Sequence, residues 1–215
     1  MWKVQQIVSN TSQPFVVIDN WFTDDELKSV KAELNHFVSL PKEVIERSEK
    51  GNDVARYNDG KSKSYCHRFY LDKIYTEIGR DFSPTIGCRY KHFTDDFKKS
   101  MNGVFKNYMQ FHPQINDTYT MLSYYENDDH YDTHYDNSVY TTVVWLFDEP
   151  KQFEGGDFEF SESKQLIKIK NNRAVIFPGI YQHKVKPISM KDDKLSGKGR
   201  FTISYFHYIN PAYEK

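Results

Sequence analysis

The stretch S-Y-Y-E-N-D-D-H-Y-D-T-H-Y-D, residues 123–136, is the densest run of chemistry in this chain of 215 residues. It closes on His134-Tyr135-Asp136, an imidazole and a carboxylate two positions apart. On a strand the side-chain period is two, so both leave the same face and could chelate one metal ion from one side. The opposite side of such an ion stays free for a third ligand and for substrates. By itself the pair is a weak sign. With 8 His in the chain, about 0.7 His-x-Asp pairs arise by chance. The chain has two, because His130-Tyr131-Asp132 fits as well.

Working outward, the region after residue 115 reads as strands. The segments 119–125, 140–147, 157–160, 165–169, 174–177, 183–188 and 201–209 are short and rich in β-branched or aromatic residues. Gly155-Gly156, Asn171-Asn172 and Pro178-Gly179 punctuate them. Seven or eight such strands argue a sandwich or barrel, of which a jelly roll, two packed antiparallel sheets, is the form that leaves a mouth lined by strand ends. Tyr and Phe number 16 each, which suits half-buried strands, with some tyrosines free to line a cleft.

The first half has a different character. Val16-Val17-Ile18 reads as a strand, and Thr23-Asp24-Asp25-Glu26 is a capping box. Leu27, Val30, Leu34, Phe37 and Val38 then recur at helical spacing, so 24–38 is predicted helical and Pro41 stops it. Residues 41–65 are polar and predict a long, mobile loop or partly helical insertion, the kind of segment that serves as a lid. Further helices are expected over 67–80 and 94–108, the second capped by Thr94-Asp95-Asp96. The fold class is therefore α+β: a double-stranded β-helix core at about 115–210, with a helical N-terminal part at about 1–114 packed on it. No linker or repeat divides the chain, and 1–215 reads as one domain.

Composition narrows the function classes. The 29 Lys+Arg and 30 Asp+Glu nearly cancel, so neither nucleic acid nor a membrane surface is an expected partner. Two cysteines, Cys66 and Cys88, make no disulfide framework. With no apolar leader after Met1, a reducing cytoplasm is the expected location.

Beyond Asp136, four features follow in order. Val143-Val144-Trp145-Leu146 is a buried-type strand, and Gly155-Gly156-Asp157-Phe158-Glu159-Phe160 is a turn into an alternating strand. Phe177-Pro178 then leads to His183-x-Val185-x-Pro187, and Arg200 opens the last strand. Together with Tyr131-x-x-His134-x-Asp136, this order resembles the prolyl 4-hydroxylase-like branch of the Fe(II)/2-oxoglutarate-dependent dioxygenases. The likeness runs over about 119–209.

The resemblance implies that His134, Asp136 and His183 hold Fe(II), the two-His, one-carboxylate face of non-haem oxygenases. It prefers His134 over His130 because a Tyr stands three residues before the metal His. It leaves His130 and Asp132 at the mouth, and gives the histidines at 36, 67, 92, 112 and 207 structural or surface roles. 2-Oxoglutarate and O2 are the implied co-substrates, with ascorbate as an accessory. The far carboxylate of 2-oxoglutarate needs a buried cationic partner, for which the Arg200 fork is suited, with Thr202 on the same strand face and Tyr124 as further contacts. His183 and Arg200 stand farther apart than the family's usual spacing, through a polar insertion at 189–196, which makes Lys198 a rival for the carboxylate. Asp128-Asp129 replaces a common Gly and predicts a differently shaped loop. The implied reaction is hydroxylation, since the halogenating relatives lack the carboxylate that Asp136 supplies. The implied target is a peptidyl residue, proline first, gripped by 41–65 or 189–196. Two alternatives stand beside it: a hydroxylase of a free amino acid or other small molecule, and a non-catalytic jelly-roll binding module. A third, a cupin-like metalloenzyme that needs no 2-oxoglutarate, would leave Arg200 unexplained.

Overall fold

The computed structural model describes residues 3–8, 13–40, 46–76, 79–102, 104, 109–192 and 197–213. Its strands are, in chain order, β1 Lys3–Val8, β2 Phe15–Asp19, β3 Glu46–Arg47, β4 Ser64–Tyr65, β5 His67–Tyr70, β6 Asp117–Tyr125 and β7 His130–His134. There follow β8 Tyr140–Leu146, β9 Phe153–Gly155, β10 Phe158–Phe160, β11 Leu166–Ile167, β12 Arg173–Pro178, β13 His183–Val185, β14 Ile188–Met190 and β15 Arg200–Tyr208. An eight-stranded sheet runs β1-β2-β12-β8-β15-β6-β5-β3, a five-stranded sheet runs β11-β10-β13-β7-β4, and β9 pairs β14 in a small ribbon. Every pairing is antiparallel. This is the double-stranded β-helix, the jelly roll that the strand spacing predicts.

The large sheet is covered on both faces, which is why β2, β8 and most of β15 are buried without interruption. Alternation sorts their side chains. Val16, Ile18, Val144, Ile176 and Ile203 face the helices. Phe15, Val17, Trp145, Val175 and Phe177 face the second sheet, where they meet Phe158, Phe160 and Val185. Burying each of these large side chains contributes about 1.5–3 kcal/mol.

Helix α1, Asp24–Ser39, begins where the capping box places it. Glu26 N–H donates to Thr23 Oγ1 at 3.4 Å and Thr23 N–H to the Glu26 carboxylate at 2.8 Å. Leu40, before Pro41, is already extended (ψ 150°), as the residue before a proline prefers. Val30, Leu34 and Phe37 are its buried stripe.

Elsewhere the first half departs from expectation. Residues 67–70 are strand β5, paired with β6, and only Leu71–Ile74 is helical (α2). The sheet edge offered by β6 overrides the helical pattern. The 94–108 helix is Asp95–Asn102; residues 77–78, 103 and 105–108 of these two expected helices lie outside the described residues. The segment expected as a long loop or partly helical insertion is built, where described, of short elements, among them a 3-10 turn at Ser48–Lys50. Arg56 and Ser62 form a β-bridge, Tyr57 N–H donates to Lys61 O at 2.9 Å, and β3 and β4 flank this hairpin. Residues 41–45 lie outside the description, as do 193–196 of the insertion, whose first residues form β14. Among the described residues no helix is long and apolar enough to cross a membrane.

On the helix-facing side lies a knot of neutral imidazoles. The rings of His92 and His207 are 4.4 Å apart, and Tyr140 stacks on His207 at 4.2 Å. Burial pulls the His92 pKa down to about 3 and sends that of His207 well below the ordinary histidine value. Both pKa values are lower folded than unfolded, so below about pH 6.5 only the unfolded chain takes up these protons. Stability is full above that pH and falls as pH drops, by up to about 1.4 kcal/mol per unit per histidine. His207→Phe should therefore flatten the pH dependence of the urea midpoint between pH 7.5 and 5.5. An unchanged slope would show that these rings do not carry it.

Candidate metal centre

Three side chains meet at the mouth of the roll. One donor atom each from His134, Asp136 and His183 lies within 4.8 Å of the others, the one such cluster of three or more among the described residues. His134 ends β7 and His183 opens β13, and the two are direct cross-strand partners. Asp136 follows β7, held by its N–H to Gly179 O at 2.8 Å. That approach needs a glycine. A Cβ on Gly179 would sit 2.4 Å from Ser138 O and 3.0 Å from Asp136 O.

The donors are preset. Nδ1 of His134 bonds Asp132 O and Nδ1 of His183 bonds Tyr181 O, both at 2.8 Å. A carbonyl can only accept, so each Nδ1 carries the proton and each Nε2 presents a lone pair. Both Nε2 atoms lie 3.8 Å from the Asp136 carboxylate. Thr141 donates to Asp136 Oδ2 at 2.7 Å and fixes that carboxylate. Burial, then the charge His183 would carry, pushes the His134 pKa well down and keeps the ring neutral, as a metal ligand must be. His183 is walled by Phe158 and Phe177, at 5.1 and 4.8 Å between centroids.

A bulge makes the other wall. Between the pairs His183↔His134 and Val185↔Tyr131, β7 uses three steps where β13 uses two. The extra residue brings Tyr131 to the same side as His134, stacked on it at 3.4 Å and 9°. The rival pair is elsewhere. His130 bonds Asp128 O at 2.7 Å, and Asp132 is taken by the Tyr57 hydroxyl. Asp128 sits at φ 62°, a left-handed position that glycine adopts freely and aspartate tolerates. Asp129 is clamped by Arg47 at 2.9 and 3.2 Å.

Arg200 is fully buried and its guanidinium lies 4.1 Å from the Tyr125 ring centroid. One Nη1 hydrogen bond goes to Gly156 O; Nε and Nη2 have no partner. A side chain on Gly156 would press on this group, at 3.2 Å from Nη1. No described carboxylate pairs with Arg200, and burial pulls its pKa below the usual arginine value. Thr202 Oγ1 and Trp145 Nε1, neighbours on the same sheet face, are also buried without partners. The cluster lacks an anion with several acceptor sites, and a carboxylate supplies four lone pairs.

Tyr124 does not belong to this cluster. Arg200 is registered against Tyr125, so Tyr124 pairs with Phe201 and both point to the helices. Its hydroxyl is engaged with Glu126 and Gly199 N, both at 2.9 Å. Lys198, the rival cation, pairs with Asp148 at 2.9 Å at the surface. Sequence reasoning missed Tyr125, Trp145 and Thr141. Their signal is a parity that only the sheet register reveals.

The sequence profile of the 2OG-Fe(II) oxygenase superfamily matches residues 120–208. No curated protein matches the chain significantly in sequence. Among solved structures, a Trichoplax adhaerens prolyl hydroxylase in complex with a hypoxia inducible factor peptide fragment is 16% identical, with TM-score 0.59 over 90% of this chain and 83% of that one. A Pseudomonas putida prolyl-4-hydroxylase is 13% identical, with TM-score 0.58 over 93% and 94%. A Burkholderia pseudomallei 2OG-Fe(II) oxygenase family protein is 11% identical, with TM-score 0.55 over 91% and 86%.

Residues 120–208 thus match the 2OG-Fe(II) oxygenase superfamily, and the solved structures share the fold. The protein is a 2-oxoglutarate-dependent dioxygenase, with Fe(II) as its cofactor and 2-oxoglutarate and O2 as its co-substrates. The residues fit both groups: two imidazoles with their Nε2 atoms turned to the Asp136 carboxylate for the metal, an unpaired buried guanidinium for the keto acid.

Because Thr141 orients Asp136, Thr141→Val should weaken metal binding about tenfold, the effect usual for a ligand's supporting hydrogen bond. Competitive titration with Co(II) and a chromophoric chelator reads this. An unchanged affinity would mean that Asp136 needs no such support.

Proposed function

We propose that this enzyme hydroxylates a C–H bond of a peptidyl residue, proline first, with His134, Asp136 and His183 as iron ligands and Arg200 and Thr202 as the co-substrate's anchor. The observation that carries the reading is the pairing of two preset Nε2 donors and a fixed carboxylate with a buried guanidinium that lacks a counter-ion.

When bound, the metal supplies O2 activation coupled to oxidative decarboxylation of the keto acid. The chain's own tasks are to hold and to exclude. Arg200 presents its Nε–Nη2 edge as a bidentate fork for the far carboxylate, and Thr202 adds a hydroxyl. Trp145, Phe158 and Phe177 keep the space between the sheets dry, which strengthens that ion pair. No side chain is required as a general base.

The target is read from the cleft in front of the metal centre. It measures about 1250 Å³ and runs from the 52–57 hairpin across Tyr131, His134 and Asp136 to Tyr119 and Tyr208. Small-molecule sites usually hold about 300–1,000 Å³, so the size favours an extended chain. A peptide partner named for the Trichoplax adhaerens enzyme of like fold supports the same choice.

Incubation with Fe(II), 2-oxoglutarate and a proline-containing peptide library should yield succinate and peptides heavier by one oxygen. Oxidation of free amino acids only would replace the peptide target with a small one. No succinate under any condition would overturn the enzymatic reading. Arg200→Ala should raise the 2-oxoglutarate KM on the order of 100-fold, because it strands a buried carboxylate.

A further inference from the structure

A second arginine is buried beside the metal centre. Arg68 sits on β5, across from Ser123 of β6, and is only 3% exposed. Its parity turns it away from the helices and into the cleft, which it lines together with His134 and Asp136. Only two ring contacts separate it from a metal ligand. Its guanidinium carbon is 5.0 Å from the Tyr131 centroid, and Tyr131 is 3.4 Å from the His134 ring.

The surrounding protein does not neutralise this charge. Nη1 donates to Asp53 O at 3.1 Å and Nη2 to Ser64 Oγ at 3.0 Å, both uncharged acceptors, while Nε has no partner. The other charged side chains of the described cleft are paired, hydrogen-bonded or less deeply buried: Arg56 is exposed and donates to Gly51 O at 2.8 Å, and Asp117 accepts from Asn210 Nδ2 at 3.3 Å. Lys73 pairs with Asp53 at 3.0 Å and Lys184 with Glu159 at 3.1 Å. Lys63 donates to Thr133 O at 2.8 Å, and Asp132 accepts from Tyr57. Asp136 belongs to the metal centre. Arg68 is therefore the deeply buried cation of the described cleft that has no carboxylate partner, and it lies beside the site of reaction. A buried cation without an anion is costly, and a free Nε edge is the edge a carboxylate grips.

We infer that Arg68 binds a carboxylate of the primary substrate, so that the target is an acidic peptide whose carboxylate lies close to the residue being oxidised. The inference rests on the dioxygenase reading above and narrows its substrate class. Arg68 differs from Arg200 in access: the one lines an open cleft, the other is sealed between the sheets. That division assigns Arg200 to the co-substrate and Arg68 to the substrate. The carboxylate is an Asp or Glu side chain next to the target or the peptide's own C-terminus.

The test uses the full chain loaded with Mn(II) and saturating 2-oxoglutarate, which does not turn over, and reads peptide binding by saturation-transfer NMR. The probes are matched pairs of acetylated prolyl tetrapeptides: Asp or Glu beside proline against Asn or Gln, and C-terminal acids against amides. Free L-proline against L-prolinamide separates a small substrate from a peptide. The acid of at least one peptide pair should bind tenfold or more tighter than its amide. Arg68→Met should erase that difference, and Arg68→Lys, which keeps charge but not the fork, should retain part of it. The 2-oxoglutarate Kd should stay within twofold in both variants. No acid preference in any pair, or one that survives in Arg68→Met, overturns the inference. So does a preference confined to free proline, or a 2-oxoglutarate Kd raised in Arg68→Met as in Arg200→Ala. Failure of the unaltered protein to bind 2-oxoglutarate would instead sink the dioxygenase reading beneath it.

Discussion

A guanidinium held between two β-sheets without a counter-ion is the constraint around which this protein is arranged. Arg200 is fully buried, and two of its three nitrogens have no partner. Removing an ion from water costs several kcal/mol, so such a group persists only where something else repays the cost. The surroundings soften the penalty without removing it. The Tyr125 face lies 4.1 Å away, Gly156 gives its carbonyl and leaves room by having no side chain, and Thr202 and Trp145 add unspent donors. Under the proposed function, an anion completes this set.

The jelly roll makes that arrangement affordable. Because the large sheet is covered on both faces, alternate residues of one strand serve two separate interiors. The helix-facing interior is the mechanical core, filled by aliphatic and aromatic residues and neutral histidines. The inter-sheet interior is mixed, with an aromatic wall around His183 and an unsatisfied polar floor at Arg200. The bulge in β7 then sets Tyr131 against His134 on the cleft side. Rigidity on one face of the sheet thus supports polarity on the other.

Much of this was legible in the residues, and the part that was not has one physical origin. His134, Asp136 and His183 could be singled out because each sits in a local motif whose chemistry shows in residue type and spacing. The Thr23 cap of α1 could be named for the same reason, since its hydrogen bonds span three residues. The sequence points to Tyr124 where Tyr125 faces the cluster, because register, a long-range property, decides which of two adjacent tyrosines turns inward. Likewise 67–70 carries a helical pattern and becomes a strand because β6 offers an edge. Arg68 gave no sign at all: its meaning lies in what fails to surround it.

The most direct measurement of the central claim is an anaerobic titration of the metal-free protein with Fe(II) and then 2-oxoglutarate, followed by the visible iron-to-keto-acid charge-transfer band. The account predicts a band in the unaltered protein, its loss in His134→Ala, and its appearance only at far higher 2-oxoglutarate in Arg200→Ala. A folded protein that shows no band would contradict the account. A band equally strong in both variants would do the same for the residues assigned to it.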